Sequence, residues 1–226
     1  MVLTRAMIED GGLLRMIAET SPSLPMLSDA ERAASLAETL ARRPADRTGQ
    51  GEGVWLFAYG SLIWNPAIEF VERQFARVHG WHRAFCLSTI AGRGTPEAPG
   101  LVLGLDRGGA CAGAAFRVAE KDIETELALL WQREMLSGSY APRWVAVRGS
   151  NGVPFGQAVT FTIRREGPYY TQRLPRAELV QRLATARGAL GSSAEYLLRT
   201  RDGLQSLGIR DRWVEGLADE VEKLGR

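Results

Sequence analysis

The chain of 226 residues has the composition of an ordinary globular protein, with 45% hydrophobic and 24% charged residues. Its formal net charge is only +2, and its Lys and Arg residues are spread along the chain, so the concentrated basic stripe of a nucleic-acid-binding protein is missing. Two cysteines are too few for a disulfide-rich secreted fold, and no apolar stretch reaches the ~20 residues that span a membrane. We therefore expect a cytoplasmic protein that binds neither nucleic acid nor membrane.

The first 50 residues predict a helical segment followed by a linker, which we name the N-terminal arm (residues 1–50). Apolar side chains between 3 and 19 have loosely helical spacing, interrupted at Gly11 and Gly12. A second helix begins at Ser28, where Ser-Asp-Ala-Glu predicts a capping box. Polar and glycine-containing residues 45–53 indicate the linker, so we place the main domain at residues 51–226.

Short apolar segments beyond residue 51 predict strands, and they are followed by a helical tail. Because strands and helices do not alternate regularly, the pattern favours the α+β class over a doubly wound parallel sheet. We predict a small β-barrel or curled mixed sheet with helices around it. The predicted strands are 54–59, 70–78, 83–89, 101–105, 111–118, 143–147 and 157–163, and the predicted helices are 120–135, 176–187, 194–207 and 211–224.

The helix predicted over residues 120–135 carries the most informative candidate. An apolar stripe runs from Ile123 to Trp131 at helical spacing, and Glu134 is the next position on it. Burial and the negative end of the helix dipole would raise the pKa of a carboxyl group there, which suits a proton acceptor working near neutral pH. The alternative is that the helix ends near Trp131 and leaves Glu134 exposed or paired with Arg133.

A second candidate site follows the first predicted strand, in the segment Ala58-Tyr59-Gly60-Ser61-Leu62-Ile63. Glycine allows a turn in which backbone N–H groups converge, and the Ser61 hydroxyl adds a donor, so this loop could hold the carboxylate of an amino-acid substrate. An ordinary tight turn is the alternative. The Gly-x-Ser-x-Gly pattern of many serine hydrolases is absent, and two histidines offer little for a Ser-His-Asp triad.

Two loops rich in glycine are further candidates. Gly138-Ser139-Tyr140 follows the helix and could return the Tyr140 hydroxyl towards Glu134, although a buried aromatic anchor is equally compatible. Residues 92–100 form a structured loop that is either functional or a connector between strands.

No metal site is predicted. A structural zinc ion needs four clustered ligands, and the soft candidates are limited to two cysteines and two histidines. His79 and His82 have an odd separation, which puts them on opposite faces of a strand. The remaining candidates are Cys86 and Cys111.

These stretches, taken together and in this order, resemble the ChaC family of glutathione-specific γ-glutamylcyclotransferases. Each motif alone is weak, but the ordered set covers nearly the whole chain. The matching motifs are Leu3-Thr4-Arg5, Tyr59-Gly60-Ser61-Leu62-Ile63-Trp64, Arg93-Gly94-Thr95-Pro96, Trp131-Gln132-Arg133-Glu134-Met135, Gly138-Ser139-Tyr140 with Pro142-Arg143-Trp144, and Gly191-Ser192-Ser193-Ala194-Glu195-Tyr196-Leu197.

The resemblance implies a small barrel-like α+β fold and assigns roles to particular residues. The essential acid corresponds to Glu134, and Tyr140 corresponds to a tyrosine near the family's pocket. Relatives usually carry glycine where this chain has Ala58, so the pocket shape is expected to differ by one methyl group. The loop that holds the γ-glutamyl group corresponds to Ala58, Tyr59, Gly60, Ser61, Leu62 and Ile63.

The resemblance also implies a reaction without metal or organic cofactor, acting on a small molecule. The substrate's own α-amine attacks its γ-carbonyl carbon and releases 5-oxoproline, and one glutamate handles the proton. Glutathione is the favoured substrate. The alternatives are a cyclotransferase for other γ-glutamyl amino acids or γ-glutamylamines, a non-catalytic binding module on the same fold, and a serine hydrolase using Ser61.

Overall fold

The computed structural model describes residues 3–45 and 52–225. Within the N-terminal arm, α1 spans Arg5–Glu9, α2 spans Gly12–Thr20 and α3 spans Asp29–Ala41. Gly11 separates α1 from α2 in the left-handed region, with φ of 71°, as the two glycines predict. The capping box at Ser28 is confirmed. Most of the predicted linker, residues 46–51, lies outside the described residues.

Five strands close into a barrel, which confirms the predicted fold class. Their order around the barrel is β1-β3-β2-β4-β5, and β5 closes it by pairing parallel to β1. The other neighbouring pairs along this order are antiparallel. The strands are β1 (Val54–Ala58), β2 (Glu72–Thr89), β3 (Gly100–Val118), β4 (Tyr140–Arg148) and β5 (Pro154–Ile163).

Two of these strands are longer than the sequence predicts, because β2 and β3 each join two segments that read as separate strands. They pair antiparallel along their length, with a register shift between His79 and Trp81. Gly80, between them, has φ of 80°. A bulge takes up an extra residue without ending the pairing, so the polar, glycine-containing break in the sequence is a bend in a continuous ribbon. The joined segments are 70–78 with 83–89, and 101–105 with 111–118.

Helices surround the barrel, and those of the last third lie where the sequence predicts them. The one-turn helix α4 was not predicted, because its residues read as a loop. Within the described residues, no helix is long and apolar enough to cross a membrane. The elements are α4 (Ser61–Trp64), α5 (Ile123–Glu134, after a 3₁₀ turn at Glu120–Asp122), α6 (Arg176–Thr185), α7 (Ser193–Gln205), α8 (Arg212–Leu224) and the two-residue strands β6 (Arg187–Gly188) and β7 (Gly191–Ser192).

Helix α5 lies between the barrel and the N-terminal arm. Its apolar stripe packs on the barrel core, where the Trp131 ring meets that of Phe161 at 5.1 Å. Its opposite side carries Leu129, which packs against Leu13 and Ile17 of α2 in a second apolar cluster. A buried carboxylate, Glu126, accepts two hydrogen bonds from Arg5 at 2.6 and 2.8 Å. The arm is therefore fixed to the helix that ends in Glu134.

Candidate active site

A pocket of about 200 Å³ opens where the segments that follow β1, β2 and α5 come together. The sequence-predicted residues on its wall are Ser61, Glu134 and Tyr140. They come from the start of α4, the last residue of α5 and the first residue of β4. Barrel closure thus brings Ser61 into one cavity with Glu134 and Tyr140, which lie far from it in sequence.

Glu134 ends α5 and continues the apolar stripe into the pocket. Its side chain is 14% exposed. Burial raises the pKa of this carboxyl above its ordinary value, while the charge and hydrogen bond of Arg133 act in the opposite direction without cancelling the effect. The sequence alternatives were exposure of Glu134 or pairing with Arg133. The structure combines burial with pairing.

Arg133 holds Glu134 and the start of α4 in a fixed relation. Its Nε lies 2.9 Å from Glu134 Oε1, and its Nη2 donates to Ser61 Oγ at 3.0 Å. Its Nη1 donates to the carbonyl of Asn65, just after α4. The Arg133 side chain is 7% exposed, so these bonds are largely shielded from water. Sequence reasoning missed this role, because a residue beside a helical stripe gives no sign of where its long side chain reaches.

The predicted binding loop contributes to the pocket wall mainly through Ser61. Ala58 is fully buried in β1, and Leu62 and Ile63 pack in the core. The Tyr59 hydroxyl donates to the Phe161 carbonyl at 2.7 Å, inside the barrel. Any contact of these residues with a ligand would therefore be through backbone atoms.

Gly60 packs closely against Tyr196, a residue of the pocket wall. A Cβ at this position would lie 2.8 Å from the Tyr196 hydroxyl, closer than carbon and oxygen can approach without a shift. Burial raises the pKa of Tyr196 to about 12, although backbone hydrogen bonds with Leu103 and Ser61 oppose the rise. This tyrosine was recognised only as part of a sequence motif, yet it lines the pocket.

Tyr140 lies on the pocket wall and is also a buried anchor. Its hydroxyl donates to the Leu103 carbonyl at 2.7 Å, and burial raises its pKa well above the ordinary value. Both sequence interpretations therefore describe it in part. A phenol with this pKa keeps its proton at neutral pH.

Two further arginines give the pocket a positive edge. Arg93, from the glycine-rich loop, lies 3.0 Å from Glu195, and Arg199, on α7, lies 2.9 Å from the other oxygen of the same carboxylate. Both arginines line the pocket. Two guanidinium groups share one carboxylate, so this cluster carries one net positive charge.

The structure gives little support for a metal site or a Ser-His-Asp triad at this pocket. Both histidines belong to the described part of the chain, and they line other clefts, His79 near Arg148 and His82 near Asp106. Among residues 3–45 and 52–225, no group of three or more His, Cys, Asp or Glu side chains is placed to hold a metal ion. Ser61 thus has no histidine as a neighbour on the pocket wall.

Comparison with known proteins identifies relatives over most of the chain. The ChaC-like protein family matches residues 54–224. The glutathione-specific γ-glutamylcyclotransferase of Escherichia coli (strain K12) is 42% identical over 194 residues, covering 86% of this chain and 81% of that protein. Gamma-glutamylcyclotransferase 2-1 of Arabidopsis thaliana is 32% identical over 178 residues, covering 75% of this chain and 82% of that protein.

A solved structure has the same fold. The crystal structure of a yeast γ-glutamyl cyclotransferase specific to glutathione matches with a TM-score of 0.70 at 20% identity. The match covers 76% of this chain and 97% of that chain.

Proposed function

The chain belongs to the ChaC-like protein family, and from this premise we propose that it is a γ-glutamylcyclotransferase that cleaves glutathione to 5-oxoproline and cysteinylglycine. The observation that carries the proposal is Glu134, a buried carboxyl group with a raised pKa on the wall of a pocket. A raised pKa makes a carboxylate a stronger base, which suits a group that takes a proton from an amine.

The reaction moves two protons from the attacking nitrogen to the departing nitrogen. An α-amino group has an ordinary pKa of about 8, so the substrate amine arrives largely protonated. Glu134 removes a proton from it, and the amine nitrogen attacks the γ-carbonyl carbon to close a five-membered ring. Glu134 passes that proton to the departing nitrogen and takes the second proton from the ring nitrogen, and the carbonyl re-forms as the carbon–nitrogen bond to cysteine breaks. The second proton then goes to the released amine, which leaves as an ammonium group. Because nucleophile and electrophile belong to one molecule, much of the entropy cost of bringing them together is avoided.

The groups around Glu134 support this assignment. Arg133 positions the carboxylate through its contact of 2.9 Å and keeps the pKa from rising further. The hydroxyl groups of Tyr140 and Tyr196 keep their protons, since burial raises both pKa values. Because the Tyr140 hydroxyl already donates to the Leu103 carbonyl, we propose that the Tyr196 hydroxyl and backbone donors at this end of the barrel stabilise the oxyanion that forms on the γ-carbonyl oxygen.

The positive edge favours glutathione over γ-glutamylamines. Glutathione carries a carboxylate on its γ-glutamyl part and another on its glycine, whereas a γ-glutamylamine lacks the second. Arg93 and Arg199 share the single charge of Glu195, which leaves one positive charge for a substrate carboxylate. We propose that they bind the glycine carboxylate.

We also propose that the catalytic domain begins near residue 51 and that the protein works in the cytoplasm. The family match starting at residue 54 supports the boundary. Cys86 and Cys111 are buried and unpaired, which is compatible with a reducing compartment.

The proposal is tested by product analysis. Purified protein is incubated with reduced glutathione, and 5-oxoproline and cysteinylglycine are assayed together. γ-Glutamyl-alanine and a γ-glutamylamine are assayed separately as alternative substrates, and Glu134→Gln is assayed beside the wild type. We expect equal amounts of the two products from glutathione, and release that is slower by about 10²- to 10⁴-fold with the variant.

Other outcomes would redirect or end the proposal. Turnover of γ-glutamyl-alanine or the amine without turnover of glutathione would assign a broader cyclotransferase. Absence of 5-oxoproline from every γ-glutamyl compound would refute the enzymatic function and leave a binding module.

A further inference from the structure

The N-terminal arm forms one wall of the pocket, although the family match begins only at residue 54. Leu13 and Ile17 lie on one face of α2 and are 2% and 3% exposed. Leu3 and Leu24 are half-buried. All four side chains line the cavity that holds Glu134.

This wall is tied to the segments of the catalytic domain that carry the pocket. An arm that packed only through apolar contacts could shift along the surface, whereas hydrogen bonds fix its register. Three hydrogen bonds join the arm to the catalytic domain, each to a different segment of the pocket. They run from Asn65 Nδ2 to the Leu3 carbonyl (2.8 Å), from Ser21 Oγ to the Ile90 carbonyl (2.7 Å) and from the Leu27 N–H to the Leu136 carbonyl (2.8 Å).

The pocket therefore has two chemically different sides. Glu134, Arg133 and Ser61 form a polar side from the catalytic domain. The opposite side, the apolar wall, consists of Leu3, Leu13, Ile17 and Leu24 of the arm together with Leu136 and Leu190. The reacting part of a γ-glutamyl substrate carries an amine, a carboxylate and the carbonyl under attack, so it belongs on the polar side.

We propose that the apolar wall of the N-terminal arm selects the leaving group, by packing against the side chain next to the scissile amide. This inference rests on the proposed cyclotransferase function and adds a specificity determinant outside the catalytic domain. The wall favours a compact, weakly polar side chain such as the CH₂–SH of cysteine. A larger side chain would collide with it, and a smaller one would leave contacts unfilled.

The test measures selectivity among three tripeptides that differ at one side chain: γ-glutamyl-cysteinyl-glycine, γ-glutamyl-alanyl-glycine and γ-glutamyl-leucyl-glycine. Leu24→Ala enlarges the cavity at a half-buried position, so the fold tolerates the change better than at Leu13. Because one methylene in an apolar pocket changes kcat/KM by about 10-fold or more, we expect kcat/KM for the cysteinyl substrate to fall about 10-fold, mainly through KM. The leucyl substrate should improve relative to the other two.

Met26→Ala is the matched control. It truncates another large apolar side chain of the same arm, but Met26 is 37% exposed and lies outside the pocket wall. It should leave the ratios among the three substrates unchanged. Ile17→Val is a second test that removes a single methylene, and it should shift the same ratios in the same direction by about 10-fold. Thermal melts establish that each variant is folded.

The outcomes separate this inference from the function on which it rests. If the wild type turns over the cysteinyl tripeptide but both pocket variants change all three substrates by one common factor, or by none, the arm does not select the leaving group. If the wild type releases 5-oxoproline from none of the tripeptides, the cyclotransferase function itself fails, and the specificity role fails with it.

Discussion

Glu126 and Glu134 lie about two turns apart on α5, both beside an arginine and both shielded from water, yet their pKa values move in opposite directions. Burial raises the pKa of each carboxyl. At Glu126 the hydrogen bonds of Arg5, at 2.6 and 2.8 Å, and of the Glu69 N–H, at 2.8 Å, outweigh burial and leave the pKa lowered. At Glu134 the opposing influence of Arg133 is weaker than burial.

The number of hydrogen-bond donors, rather than burial, accounts for the opposite pKa shifts of the structural carboxylate Glu126 and the proposed proton acceptor Glu134. Three strong donors hold the charged form of Glu126 and make it the anchor of the N-terminal arm. Glu134 keeps acceptor capacity to spare, which a substrate ammonium group can occupy. The same helix thus positions the pocket wall through one glutamate and carries the proposed proton acceptor in the other.

The largest expected effect comes from Glu134→Gln. It removes the proposed proton acceptor but keeps the size of the side chain, so kcat for 5-oxoproline release should fall by about 10²- to 10⁴-fold. The exposed Glu124 on the same helix provides the control, and Glu124→Gln should keep wild-type kcat. If Glu134→Gln kept more than a tenth of the wild-type kcat, Glu134 would not be the proton acceptor.

The stability of this variant provides a second check with a definite sign. Because the folded-state pKa of Glu134 is raised, its protonated form is favoured in the fold, and the contribution to stability is lost as pH rises through the folded pKa. At neutral pH the ionised carboxyl is therefore a net cost. Chemical denaturation at pH 7 should find Glu134→Gln at least as stable as wild type, and a clear loss of stability would contradict the raised pKa.

Glu126→Gln should give the opposite pattern, with little change in kcat and a loss of stability. The ion pair with Arg5 disappears, so the free energy of unfolding at pH 7 should fall by about 1–3 kcal/mol. A lowered folded-state pKa stabilises the fold above the ordinary value of 4.5, and this stabilisation is lost as pH falls through the folded pKa. The gap between wild type and variant should therefore narrow in acid. An equal gap at all pH values would show that the carboxylate charge is not what anchors the arm.

The sequence points to Glu134 more clearly than to Glu126. Glu134 stands out because it interrupts an apolar stripe of period 3.6, which is local information. The partnership of Glu126 with Arg5 joins residues 121 positions apart and leaves no local trace. The apolar face of α2 is likewise a local pattern that the sequence reveals. Its place on the pocket wall depends on how the arm folds back, which the sequence does not reveal.

The barrel shows the same limit. Turn-forming Gly80 reads as the end of a strand, because nothing local reveals that a partner strand continues past it. Short-range signals such as the Ser28 capping box were correct, since both partners lie within one turn.

Arg133→Gln should raise the pKa of Glu134 further and so widen its difference from Glu126. The charge and hydrogen bond of Arg133 lower that pKa, so their loss should raise it. The acidic limb of the pH profile of kcat/KM should shift to higher pH than in wild type. Arg133→Lys keeps the charge and should shift the limb less. Identical limbs in all three proteins would mean that the limb does not report Glu134.

Ser61→Ala has the smallest expected effect, and its size separates two mechanisms. Ser61 Oγ accepts a hydrogen bond of 3.0 Å from Arg133, so its removal loosens the arginine that holds Glu134. Losing one such bond costs about 0.5–1.5 kcal/mol, which corresponds to a fall in kcat/KM of roughly 2- to 10-fold. Ser137→Ala, at another serine on the pocket wall, is the control and should change less. A serine nucleophile would instead lose nearly all activity and would form a covalent intermediate visible by mass spectrometry, so complete inactivation of Ser61→Ala would favour a hydrolase over the single-carboxylate mechanism.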